Sequence, residues 1–259
     1  MVVEFEAAMI ADHVRELSEK EMLSFFRSIP PDGSVGLMGG WAVTYLLKKR
    51  KADHIGSRDI DVFYHPGRVK YASISQLIRN SGFSPHSTFR WVKYFDTRTG
   101  KLISEKESKL LQYYDLVIVY LDVAAPAPGE SLLGRVLDEP LLGEVFAGKT
   151  EYCELENVRI LMPSVDIMVK MKIKSVLGRV DRFKREKDLA DLVAMLRNVP
   201  ELWILKGGFQ DRLRDELRDL NTFALKERLA GYSSDGTLVN AASALNMDYS
   251  VALDILGRI

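Results

Sequence analysis

Val35-Gly36-Leu37-Met38-Gly39-Gly40-Trp41-Ala42 and, after a short basic segment, Ser57-Arg58-Asp59-Ile60-Asp61-Val62-Phe63-Tyr64 are the stretches that decide how this chain is read. In the second, two carboxylates flank one apolar residue in a β-rich run. A strand turns residues two apart to the same face, which pairs Asp59 with Asp61. Two ionised carboxylates side by side repel unless a cation neutralises them, and oxygen-only ligation suits Mg²⁺ or Mn²⁺ held together with substrate phosphates. The first stretch supplies the complement: a short apolar strand, a glycine pair, and a helix from Trp41 to Lys51 with Ala42, Leu46 and Leu47 at helical spacing. Such a turn offers backbone N–H groups and a positive dipole end to a triphosphate, with no side chain in the way, and Gly40 is expected nearest the phosphates.

In order and spacing these residues resemble the DNA polymerase β-type nucleotidyltransferase superfamily. Its pattern of an apolar residue, Gly and Gly or Ser, a short helix and Asp-x-Asp in a strand reads here Met38-Gly39-Gly40 and Asp59-Ile60-Asp61. The resemblance implies metal ions held by Asp59 and Asp61 and a third carboxylate on a neighbouring strand. The run Tyr113 to Val123 carries an aspartate near each end. Asp122, at the strand end and just before the breaker-rich Ala124 to Gly129, is the expected third metal ligand; Asp115 opens the strand, and its opposite parity lets only one of the two face the site.

A second resemblance, to the minimal AbiEii-type nucleotidyltransferases, lies in the helix-like run from Met168 to Arg179 and in Lys187-Asp188-Leu189-Ala190-Asp191. It implies that Lys172 contacts nucleotide phosphates and that Asp188 takes part in catalysis. Lys172, Ser175 and Arg179 also recur at helical spacing, a cationic face suited to phosphate. Ser57 and Arg58 join them as candidate nucleotide contacts; a guanidinium at Arg58 reaches an acceptor or pairs with a carboxylate.

Composition narrows the class. Lys and Arg total 36 and so do Asp and Glu, so no net charge drives the chain towards nucleic acid or acidic membranes. The one cysteine, Cys153, excludes an internal disulfide and falls in a strand-like run, which makes it a packing residue rather than a nucleophile. The histidines His13, His54, His65 and His86 lack metal-ligand spacing, and His65 reads as a turn residue beyond the Asp-x-Asp strand. Met1 to Ala8 has neither the basic start nor the apolar core of a signal peptide, and no run is long enough to span a membrane; a cytoplasmic protein is expected.

The periodicities predict a helix over Ala8 to Arg27, a helix near Val69 to Asn80, a strand around Phe89 to Phe95, helix within Leu132 to Phe146, a hairpin over Glu151 to Met162, and helices from Ser164 onward. Strands alternating with helices, then helices alone, predict an α/β (α+β) fold. Its parts are a small mixed β-sheet core in 1–163, a helical segment in 164–200 completing the active site, and a C-terminal helical module in 201–259. Thr237 to Leu245 and Ser250 to Leu256, turning at Asn246, resemble a helix-turn-helix, but Asp248 and Asp254 stand where a phosphate backbone needs cations, with Arg258 only at the end. Duplex DNA is thus disfavoured, and a small helical packing or protein-contact module is the expected use of these helices.

The expected function is NMP transfer from an NTP to an RNA end, a protein or a small molecule, the RNA case being that of toxin-type members of the family. The competing hypothesis is a catalytically idle module that binds a partner or DNA. Nothing structural requires two adjacent like charges on a strand, which favours the enzyme.

Overall fold

The computed structural model describes residues 12–126, 136–199 and 222–257, and for 222–226 the backbone alone. The expected helix start at Ala8, residues 127–135, residues 200–221 and Arg258 lie outside the described residues. The chain opens with α1 (Asp12–Arg27), whose buried face carries Met22, Leu23, Phe25 and Phe26. Next, β1 (Val35–Met38) runs without a linker into α2 (Gly39–Lys49), followed by β2 (Ile60–Tyr64), α3 (Tyr71–Asn80), β3 (Ser84–Pro85), β4 (Arg90–Asp96), β5 (Lys101–Ile103) and α4 (Glu105–Ser108). A 3-10 turn over Tyr113–Asp115 then leads into β6 (Leu116–Ala125), β7 (Leu137–Asp138), α5 (Leu142–Phe146), β8 (Thr150–Leu155) and β9 (Val158–Pro163). From there the described residues are helical: α6 (Val165–Gly178), α7 (Arg182–Asn198), α8 (Thr222–Ser234), α9 (Thr237–Ala244) and α10 (Tyr249–Gly257).

The strands form one mixed sheet in the order β3-β4-β6-β2-β1-β9-β8, with β5 added to β4 and β7 to β6. Central β6 is a β-branched and leucine-rich run whose Val119, Leu121 and Val123, all on one face, are fully buried, while Leu116, Ile118 and Tyr120 on the other are half-buried. The expected hairpin is β8 with β9, closed by Glu156 and Asn157, both at positive φ (45° and 66°). Two residues of that hand match the right-handed twist of the flanking strands. Cys153 is buried in β8. No helix among the described residues is long and apolar enough to cross a membrane.

The chain divides into two compact units. Of the described residues, the first takes 12–42 and 56–163, including the whole sheet; the second takes 43–55 and 164–257. Residues 43–55, expected in the core over 1–163, therefore belong with the C-terminal helices, where His54 bonds to Asp191 of α7. Nor do α9 and α10 stand as a module of their own: both pack on α7, and Leu238, Ala242, Ala252 and Leu256 are buried. Their apolar residues are too few for a separate core, so they extend the one built by α6 and α7. Asn246 makes the expected turn at φ 48°, and Asp248 accepts the Ser250 N–H at 2.7 Å in front of α10, the place of a helix N-cap.

In the first unit a single hydroxyl fixes the two segments that matter most. Ser18 Oγ of α1 accepts the indole N–H of buried Trp41 at 3.0 Å and donates to the carbonyl of Arg58 at 2.8 Å. The glycine turn and the approach to β2 are thereby held to one helix. Ser18→Ala is expected to cost about 1–3 kcal/mol, the penalty for removing a partner from buried polar groups. Urea unfolding checks this, and a change below about 0.5 kcal/mol would show that the hydroxyl holds nothing.

Candidate active site

Register builds the site. Asp61 of β2 is the Cα partner of Met38 on antiparallel β1 and of Asp122 on parallel β6, while Asp122 is the partner of Arg90 on antiparallel β4. Partners across a ladder point their side chains to the same face. Met38, Asp61, Asp122 and Arg90 therefore form one row across four neighbouring strands. Asp115 instead lies in the 3-10 turn and pairs with Arg98 at 3.6 Å, so register brings Asp122 and not Asp115 beside Asp61. Ile60 and Val62 are buried while Asp59 and Asp61 are half-buried, the alternation expected of carboxylates sharing the other face.

The glycine turn closes on this row. Gly39 has φ +67°, and a Cβ there would lie 2.0 Å from Asp61 Oδ2. Both backbone conformation and available space exclude a side chain, because the Asp61 carboxylate fills the place a Cβ would take. Gly39 and Gly40 open α2, whose dipole puts partial positive charge at that end.

Arg90 is the residue that sequence reasoning missed. Its Nε donates to Asp122 Oδ1 at 2.7 Å and its Nη2 to Oδ2 at 2.6 Å, so each oxygen of the nearly buried carboxylate accepts from one guanidinium. The hydrogen bond to Asp122 is the main cause holding the Arg90 guanidinium charged beyond its ordinary range; burial opposes it, and the charges of Asp122 and Asp59 assist. Tyr120, two residues before Asp122, has the Arg90 guanidinium 4.7 Å and that of Arg58 5.7 Å from its ring centroid. Arg58 also lies 3.5 Å from Asp59, a loose and exposed pair. Ser57 is buried, and its hydroxyl donates to the carbonyl of Asp59 at 3.0 Å, shaping the entry to β2. His65 receives the Gly67 N–H at Nδ1 (3.0 Å) and its ring stacks on Phe146, a turn role.

Hard oxygen donors fit a divalent cation at Asp59 and Asp61, and the glycine cradle beside Asp61 fits a phosphate approaching backbone. Asp122 fits less well, since its oxygens already serve a cation. Among the described residues no group of three or more His, Cys, Asp and Glu side chains is arranged to hold a metal ion.

The other expected residues lie in the second unit. Lys172, from the middle of α6, is buried and donates to Asp188 at 2.6 Å and lies 2.5 Å from Asp191, both on α7. Arg179, just past α6, reaches the other Asp188 oxygen at 3.0 Å, while Asp191 bonds to His54 at 2.8 Å and His54 to Thr44 at 2.8 Å. Lys172 thus belongs to a buried ionic network rather than to a solvated stripe with half-buried Ser175. Burial opposes its charge, yet Asp188 and Asp191 outweigh burial and raise its pKa. Burial likewise pushes Asp191 up, but Lys172, Lys187 and His54 prevail and hold it well below the carboxylate range. Asp191 closes the Lys187-Asp188-Leu189-Ala190-Asp191 run quoted above, whereas His54 carried no site signal in the sequence, because its partner Asp191 is brought in from a distant segment.

No family model matches the sequence, and no curated protein matches it. Among solved structures, the chain is similar to the crystal structure of an antigenic nucleotidyltransferase-like protein from Paracoccidioides brasiliensis, at 18% identity and a TM-score of 0.42, over 83% of this chain and 93% of that one.

Lys172→Met leaves Asp188 with Arg179 and Asp191 with Lys187 and His54 as remaining partners, so it is expected to lose about 1–3 kcal/mol of stability in urea unfolding, the cost of taking one donor from buried acceptors. Because the folded pKa of Asp191 is depressed, its contribution is present above the unfolded value of about 3.9 and lost as pH falls through the folded one. Asp191→Asn is therefore expected to be less stable at neutral pH and to lose less on acidification below about pH 4; an acid limb as steep as the parent's would contradict the network.

Proposed function

We propose that this chain is a metal-dependent nucleotidyltransferase, transferring NMP from an NTP to an acceptor and releasing pyrophosphate. The observation that carries the reading is the contact between Gly39 and Asp61, where the space of a missing Cβ holds the carboxylate. A phosphate-seating turn and a cation-holding strand are thereby one structure, and a triphosphate with its cation needs both at once. Asp59 and Asp61 would hold the cation, Mg²⁺ or Mn²⁺. When bound, it supplies Lewis-acid stabilisation of charge on the phosphoryl oxygens. Gly39 and Gly40 seat the triphosphate through backbone N–H groups. The acceptor oxygen bonds to the α-phosphorus as the bond to the bridging oxygen breaks, with loss of the acceptor's proton.

Lys172 and Asp188 enter on the AbiEii-type resemblance alone, as phosphate contact and as participant in catalysis. Their geometry supports an ammonium held permanently charged. An RNA end, a protein and a small molecule all fit as acceptor class, and a toxin role follows only from the first. The idle-module reading has one observation in its favour: a guanidinium on Asp122 neutralises charge without Lewis-acid chemistry.

Incubation with labelled NTPs, Mg²⁺ or Mn²⁺ and separate pools of RNA, protein and small acceptors separates the two. Label transfer that falls at least about a hundredfold in Asp61→Ala, roughly 2.7 kcal/mol of transition-state stabilisation, supports the enzyme. Nucleotide binding without transfer supports the idle module. A Mg²⁺-NTP mixture is also expected to raise the parent's melting temperature and that of Asp61→Ala much less, since a ligand stabilises only the state it binds.

A further inference from the structure

Three carboxylates at the edge of one sheet face raise a question of charge. Asp59, just ahead of β2, and Asp61 within it are half-buried on either side of buried Ile60, and Asp122 stands beside Asp61 in register. If all three were to ligate metals, Asp122 would need at least one oxygen directed at a cation. Both are instead engaged by one planar guanidinium at 2.7 and 2.6 Å, the bidentate geometry that makes arginine–carboxylate pairs strong and directional. The strands and a ring hold the pair in place. Arg90 and Asp122 are cross-strand partners, Asp122 is nearly buried, and the Tyr120 ring lies against the guanidinium. A divalent cation entering at Asp122 would displace a permanent positive charge from a protected site and then stand beside it.

We propose that Arg90 is a built-in cation that removes Asp122 from metal binding, so that the site holds a single divalent cation, at Asp59 and Asp61. This rests on the nucleotidyltransferase reading and refines it. The guanidinium supplies in fixed form the charge that a second metal would bring, and it keeps the Asp122 carboxylate in place beside Asp61. In this arrangement Arg90 and Asp122 are positioning residues, and Asp59 and Asp61 are the only carboxylate ligands.

Two Mn²⁺ ions in one nucleotide site lie about 3.5–4 Å apart, close enough to couple their electron spins. The test is low-temperature EPR of the full chain with Mn²⁺ and an equimolar mixture of the four non-hydrolysable nucleoside triphosphates. The parent is expected to show protein-bound Mn²⁺ without a coupled pair, and Asp122→Asn the same. Arg90→Ala, which frees Asp122, is expected to gain the coupled pair. A coupled pair in the parent that Asp122→Asn abolishes would overturn the proposal while leaving the nucleotidyltransferase reading intact. Protein-bound Mn²⁺ that persists in Asp61→Ala, or no bound Mn²⁺ at all, would remove that reading and the proposal with it. Should Arg90→Ala fail to fold, the parent and Asp122→Asn spectra decide alone.

Discussion

Like charges on adjacent strands are the constraint from which the sheet face follows. Parallel pairing of β2 with β6 sets Asp61 beside Asp122, and Asp59 stands two residues before Asp61, in the bend that enters β2. Without neutralisation that cluster costs several kcal/mol and resists folding. The chain answers part of it with Arg90, delivered to the same row by antiparallel β4. Arg58 lies loosely beside Asp59 at 3.5 Å, and the pair Asp59 and Asp61 borders the N-terminus of α2. An anionic ligand that brings its own cation completes that balance.

The glycine at position 39 binds the parts together. Its positive φ turns β1 into α2 with no intervening loop, and its lack of a Cβ lets the Asp61 carboxylate sit against the backbone. A side chain there would pay for a left-handed conformation and collide with the carboxylate. Ser18 secures the same turn from the other side through Trp41, and the Asp59 approach through the Arg58 carbonyl. Fold and candidate chemistry are thus fixed by the same few contacts.

Much of this was legible from local pattern. The glycine pair, the Asp-x-Asp alternation, the hairpin over 151–162 and the choice of Asp122 over Asp115 each follow from turn chemistry, parity or a breaker within a few residues. What escaped was non-local. Arg90 stands 32 residues before its partner Asp122, and only the strand order β4-β6-β2-β1 makes them neighbours. Lys172, Ser175 and Arg179 read as a cationic face open to phosphate because helical spacing says nothing about what covers the face. The covering helix is α7, whose Asp188 and Asp191, one turn apart, draw the ammonium inward. For the same reason the short C-terminal helices resembled a module. Their packing partner, α7, lies upstream of residues 200–221.

The central claim is that a nucleotide and its cation settle where Gly39, Gly40, Asp59 and Asp61 meet. Paramagnetic broadening of backbone amide signals by Mn²⁺ with bound non-hydrolysable nucleotide reads that location directly, residue by residue. The account predicts the strongest loss of signal at Gly39, Gly40 and Asp59 to Val62, and its disappearance in Asp61→Ala. Broadening centred elsewhere, or unchanged by that substitution, would contradict it.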